Sequence, residues 1–184
     1  MLFFFNSFDA LLYIASQIAN ACVHLESMKQ THQDLATRNM IVYEKKLMVK
    51  ITDGAVHMDK YTHDYYNGLP IRWMSPQSIL HQQFDSYSEV YSFGVCFWEI
   101  LIMAKFRPFA ELTDEQFLAM VYAYMNQGEP MDHLPRPSQC HNKEIYQLLQ
   151  ECLDPDYTQR PTFKEISLFL QRKTLTFTTS KLAQ

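Results

Sequence analysis

Residues 32–39 read HQDLATRN, and Asp53 follows fourteen residues after Asn39. Between them, Met40 to Tyr43 and Leu47 to Ile51 are short apolar runs rich in β-branched residues, joined by Glu44, Lys45 and Lys46. That pattern predicts a small hairpin. The spacing sets Asp34, Asn39 and Asp53 around one cleft, as a carboxylate base and two hard oxygen ligands of the magnesium type. Upstream, Leu11, Ile14, Ala15, Ile18, Cys22, Leu25 and Met28 recur at helical spacing, so a helix is predicted from about Phe8 to Lys29, capped by Ser7 or Asp9.

Downstream, residues 54–72 are polar and aromatic without a sustained period, which predicts a long functional loop. Helices resume at Ser75. Ser86 with Glu89 reads as a capping box before the run Val90 to Met103, and Thr113 with Gln116 as another before Phe117, with Gly128 as the stop. Two further helices are predicted, at about Lys143 to Leu153 and from Thr162 to Arg172, the last capped by Thr162 with Glu165. The result is a mainly α domain over residues 1–172, with a threonine-rich tail at 173–184 expected to fray.

The bulk composition fits one globular domain: 184 residues, 47% of them hydrophobic. A net charge of −4 supplies no basic field for nucleic acid or an anionic membrane. Cys22, Cys96, Cys140 and Cys152 show no CxxC spacing, which fits a reducing compartment. His57, Asp59, His63 and Asp64 cluster without a ligand motif, so a metal site there is not expected. The opening MLFFF is short for a signal-peptide core, and Tyr91 to Ala104 falls short of the ~20 residues that span a bilayer. No membrane contact by this chain itself is expected.

HQDLATRN resembles the HRDLxxxxN catalytic loop of protein kinases, and Asp53 matches the first residue of their DFG motif. Ala36 and Arg38 are the tyrosine-kinase form of that loop, and LPIRWMSP at 69–76 looks like the tyrosine-kinase segment that supports a substrate. The chain thus resembles the C-terminal lobe of a receptor protein tyrosine kinase, from about Leu11 to Gln171. RPFAELTDEQ at 107–116, with DYY at 64–66, looks closest to the discoidin-domain receptors.

The resemblance implies a kinase-like C-terminal lobe with its hairpin at the catalytic cleft, a catalytic loop at 32–39 and an activation segment at 53–77. It implies ATP and Mg²⁺ as cofactors and a protein tyrosine as substrate. Asp34 would be the base, Arg38 would steady base and substrate, Asn39 and Asp53 would hold Mg²⁺, and Ile41 would floor the adenine site. Pro70, Ile71, Arg72, Trp73 and Met74 would seat the substrate. Tyr61, Tyr65 and Tyr66 resemble activation-loop phosphorylation sites. A cytoplasmic location follows, on the inner side of the plasma membrane for part of a receptor.

Several residues depart from the family pattern. Gln33 replaces the arginine that clamps a phosphorylated loop, and Gly54 and Ala55 stand where Phe and Gly of DFG would be. Gln77 replaces the Glu of APE, reducing its link to Arg160 to a neutral hydrogen bond. Glu89 is one methylene longer than the usual Asp, and Leu153 replaces a buried Trp, which leaves a cavity unless neighbours fill it. The four glycines, Gly54, Gly68, Gly94 and Gly128, form no GxGxxG, so the N-terminal lobe is read as absent and little phosphotransfer is expected of this chain alone. A missing N-terminal lobe or a partner kinase would complete it. The alternatives are a pseudokinase-like interaction module and a truncated piece of a receptor.

Overall fold

The computed structural model describes residues 7–43, 47–53 and 59–182, with side chains to 179. The hairpin turn at Glu44 to Lys46 lies outside the described residues, as do Gly54, Ala55 and His57. Helix α1 spans Phe8–Ser27. Strands β1 (Met40–Tyr43) and β2 (Met48–Ile51) follow, and then α2 (Pro76–His81), α3 (Ser86–Leu101), α4 (Asp114–Gln127), α5 (Lys143–Cys152) and α6 (Phe163–Leu182). The predicted mainly α architecture is borne out. Among the described residues the sheet is the β1–β2 hairpin, antiparallel, with Ile41 opposite Lys50 and Tyr43 opposite Met48.

Helix α3 is the axis of the core. Every residue from Ser88 to Leu101 is buried, so it needs neighbours on all sides, and α1 and α5 supply two of them. Ala10, Ala15 and Ala19 are fully buried on α1 and let it approach α3 and α6 closely. Gly94 does the same for α5: a Cβ there would lie 2.9 Å from Cys152 Cβ and 3.0 Å from Leu153 Cδ2. Leu153 therefore fills against Gly94, while on its other side a hollow of about 330 Å³ remains between Leu134, Tyr146 and Leu149.

The Thr113–Gln116 capping box forms as predicted, and Gly128 ends α4 at φ 71°. Thr162 and Glu165 also exchange the expected bonds at the start of α6. The box at α3 is different from the one predicted. Asp85 and Ser88 make it, because the carboxylate of Glu89 is occupied elsewhere. Helix α6 runs on to Leu182, with Thr174 buried and the ring of Phe177 5.5 Å from that of Tyr13. All four cysteines are free and buried. Among the described residues no helix is long and apolar enough to cross a membrane.

Arg160 is buried and held by the carbonyls of Tyr87, Asp154 and Pro155. Its fourth contact is the neutral bond expected with Gln77, Nη2 to Oε1 at 3.2 Å. Gln77 Nε2 is buried without a hydrogen-bond partner among the described residues.

Candidate active site

The segment between α1 and β1 cannot be helical throughout. Gln33 sits at φ 67°, in the left-handed region that costs a side-chain-bearing residue ~1–3 kcal/mol. Glu89 on α3 holds it there, accepting from the N–H groups of His32 at 3.0 Å and Gln33 at 3.2 Å. Burial pushes the Glu89 carboxyl up, and those two N–H bonds partly offset it. Its other oxygen, Oε1, has no partner among the described residues.

His32 ties the loop to the end of β2. Its Nδ1 accepts from Asp34 N–H at 3.3 Å, which leaves Nε2 as the protonated nitrogen donating to Thr52 O at 2.7 Å. Thr52 in turn donates from N–H at 2.8 Å and from Oγ1 at 3.0 Å to Asn39 O. Asp53, the next residue, is thereby set beside the loop and lines a hollow of about 880 Å³ with His32, Gln33 and Lys29.

Asn39 is fully buried at the end of a 3₁₀ turn, Thr37–Asn39. Its Nδ2 donates to Asp34 O at 2.7 Å, which fixes the amide and leaves Oδ1 an acceptor without a donor among the described residues. A buried lone acceptor of this kind suits a hard cation. Among the described residues no three His, Cys, Asp or Glu side chains converge on a metal site, and Asn39 does not border the hollow that Asp53 lines.

Asp34 and Arg38 form an ion pair through Oδ1 and Nη2. The guanidinium is nearly enclosed: it lies 4.2 Å from the Trp73 ring centre and 4.7 Å from that of Tyr65, and Nη1 reaches Asp64 at 3.5 Å. Burial opposes its charge, but Asp34, Tyr65 and Asp64 outweigh that and its pKa is raised. Tyr65 closes the cluster. Its hydroxyl donates to Asp34 Oδ2 at 2.6 Å and accepts from Arg38 Nε at 3.0 Å. Burial and the bond to Asp34 push the phenol pKa up.

The other predicted residues divide. Ile41 is exposed on the outer face of the hairpin, beside Tyr43 and Met48. Pro70, Ile71, Arg72, Trp73 and Met74 are all buried. Arg72 forks between Asp114 and the carbonyls of Pro108, Phe109 and Leu112, and Trp73 Nε1 donates to Glu99 at 2.9 Å. Tyr61 is exposed and Tyr66 half-buried in a short bridge with Leu69.

Two participants were not among the predicted site residues. Asp64 is buried against Arg38. Glu99 accepts from Thr37 N–H and Oγ1, both at 3.0 Å, as well as from Trp73, so it joins the 32–39 loop to the 70–74 segment. Its one signal in the sequence is a carboxylate inside an apolar helix, a group that must find donors when buried.

Residues 6–170 match the family model for protein tyrosine and serine/threonine kinases. The epithelial discoidin domain-containing receptor 1 of Homo sapiens is 36% identical over 174 residues, 92% of this chain and 19% of the relative. The NT-3 growth factor receptor of Gallus gallus is 40% identical over 161 residues, 85% of this chain and 18% of the relative. The chain spans less than a fifth of the length of these curated relatives.

Proposed function

Because the chain belongs to the protein tyrosine and serine/threonine kinase family, we propose that it is the catalytic lobe of a receptor-type protein tyrosine kinase. In the complete protein it would move the γ-phosphoryl of ATP to a protein tyrosine, on the cytoplasmic side of the membrane. The observation that supports this reading is a phenol hydroxyl 2.6 Å from Asp34 Oδ2. A tyrosine is thus already seated at the group proposed to take its proton.

In this mechanism Asp34 orients the substrate hydroxyl and accepts its proton as the phosphoryl arrives. Arg38 holds Asp34 and the phenol in register. Asn39 Oδ1 and Asp53 would hold Mg²⁺, which when bound neutralises phosphate charge. Ile41 is available to the adenine ring from the hairpin's open face. The buried side chains of Pro70 to Met74 leave their backbone to seat the substrate segment. The 184 residues hold no GxGxxG, and loss of one preorganised electrostatic contact typically costs ~10²–10³ in rate, so this lobe by itself is proposed to transfer little phosphate.

The test joins the lobe to an N-terminal kinase lobe from a matching relative and follows phosphate transfer from Mg·ATP to a tyrosine peptide. Activity above an Asp34→Asn control is expected, and activity equal to that control overturns the reading. A pseudokinase-like binding module is the second reading, favoured by the exposed Ile41, Tyr43 and Met48 on one sheet face. Mg·ATP separates the two, since an Asp53-dependent rise in melting temperature speaks for the catalytic lobe.

A further inference from the structure

The hollow beside Leu153, at the C-terminal end of α5, shares no residue with the cluster around Asp34. At Leu153 the helix ends: its N–H closes on the carbonyls of Leu149 and Gln150, both at 3.1 Å, and its side chain stands against Gly94 of α3. Leu134, Leu149, Leu153 and Pro155 form the apolar lining around about 330 Å³, within the ~300–1,000 Å³ of small-molecule sites. That volume admits one or two fused rings.

Hydrogen bonds pin both walls, so they do not close over the space. Trp98 Nε1 donates to Pro135 O at 2.7 Å, and Arg136 donates to Cys140 O at 2.9 and 3.1 Å, which fixes the segment carrying Leu134. Arg160 donates to Asp154 O at 2.7 Å and to Pro155 O at 3.1 Å, which fixes the other side. The charge around the opening has one sign. Glu151 and Asp154 line it, and no lysine or arginine among the described residues does. Neutral donors orient both carboxylates: Gln147 Nε2 reaches Glu151 Oε1 at 2.8 Å, and the Asp156 N–H reaches Asp154 Oδ1 at 2.9 Å. Arg160 feels the charge of Asp154 but commits its N–H groups to carbonyls and Gln77, while Arg136 stacks 4.5 Å from the ring centre of Tyr146.

We propose that this hollow is a binding site for a small aromatic ammonium, with its ring against Leu134, Leu149 and Leu153 and its charge at Glu151 and Asp154. Seating the ring removes apolar area on both partners from water. The two carboxylates accept the ammonium N–H groups in charge-assisted bonds. An uncharged ring of the same size keeps only the apolar part of this binding, and an anionic one meets repulsion. Leucine at position 153 is what leaves the room, since a larger aromatic side chain there would occupy the space from within. The site does not depend on phosphate transfer by this lobe.

The full chain, labelled with ¹⁵N, is titrated near neutral pH with tryptamine, indole and indolepropionate, and binding is read from amide chemical shifts. Tryptamine is expected to saturate with a Kd of about 1 mM or tighter, its shifts centred on residues 133–134 and 146–155. Indole should bind at least about threefold more weakly, and indolepropionate more weakly still. Leu153→Trp fills the hollow and should abolish the saturable shifts in a chain whose amide spectrum remains folded. Glu151→Gln combined with Asp154→Asn should bring tryptamine to the affinity of indole, and this pair decides if Leu153→Trp does not fold. The proposal is overturned by no saturation at about 10 mM tryptamine, by shifts centred elsewhere, by binding that survives in folded Leu153→Trp, or by a tryptamine affinity that the paired substitution leaves unchanged.

Discussion

Tyr65 Oη and Asp34 Oδ2 lie 2.6 Å apart, with the phenol proton between them and Arg38 Nε donating to the same phenol oxygen at 3.0 Å. The residue proposed as a base is therefore engaged by the chain's own tyrosine. Tyr65→Phe keeps the ring over Arg38 and removes the bridging hydroxyl. The expected outcome is faster amide exchange across residues 61–69 and a loss of about 1 kcal/mol in stability. In the lobe joined to an N-terminal lobe, the variant should lower the KM for a tyrosine peptide. Unchanged exchange and melting would show that the bond is idle.

Gly94 offers no room for a methyl group, because Cys152 and Leu153 already stand at contact. Gly94→Ala should lower stability by about 1–3 kcal/mol through displacement of α5, despite alanine's better helix propensity. Urea denaturation measures it, and a neutral or stabilising result would mean α5 yields freely.

Glu89 and Glu99 are both buried on α3, and burial raises both pKa values above 4.5. A raised native pKa means that the folded state holds its proton longer than the unfolded one. Their contribution to stability is thus fully present below pH 4.5 and lost as pH rises through each native pKa. Glu89→Gln removes one such group, so the melting temperature of the variant minus that of the parent should climb from pH 4 to pH 7. A flat or falling difference contradicts the assignment.

Arg160 is a buried cation whose four side-chain hydrogen bonds among the described residues all go to neutral acceptors. Gln77→Glu places an anion against it and removes the orphaned Nε2. A charge-assisted bond is roughly twice as strong as a neutral one, so the urea midpoint should rise, by about 1 kcal/mol equivalent. A fall would show that desolvation of the new carboxylate dominates.

The helices and the hairpin were legible because their signals are local: apolar period, caps and a stop glycine. Residues 32–39 were legible by resemblance as well. Misread features depend on partners distant in sequence. Glu89 looks like half of a capping box until its carboxylate meets the N–H groups of residues 32 and 33, and Ser88 takes the box instead. The burial of Arg72 has the same origin, since it follows from Asp114 and three carbonyls beyond α3. Thr174 is buried and Phe177 packs against Tyr13 of α1, contacts that the polar composition of this stretch does not announce.

The left-handed Gln33 and the Glu89 clamp that spans to it from α3 have a further consequence. The shape of residues 31–39 is borrowed from a helix more than fifty positions downstream, not encoded in those nine residues. A synthetic peptide of that stretch would sample many conformers and recognise neither nucleotide nor tyrosine. Grafting the loop into another scaffold would succeed only if an anion were supplied beneath it.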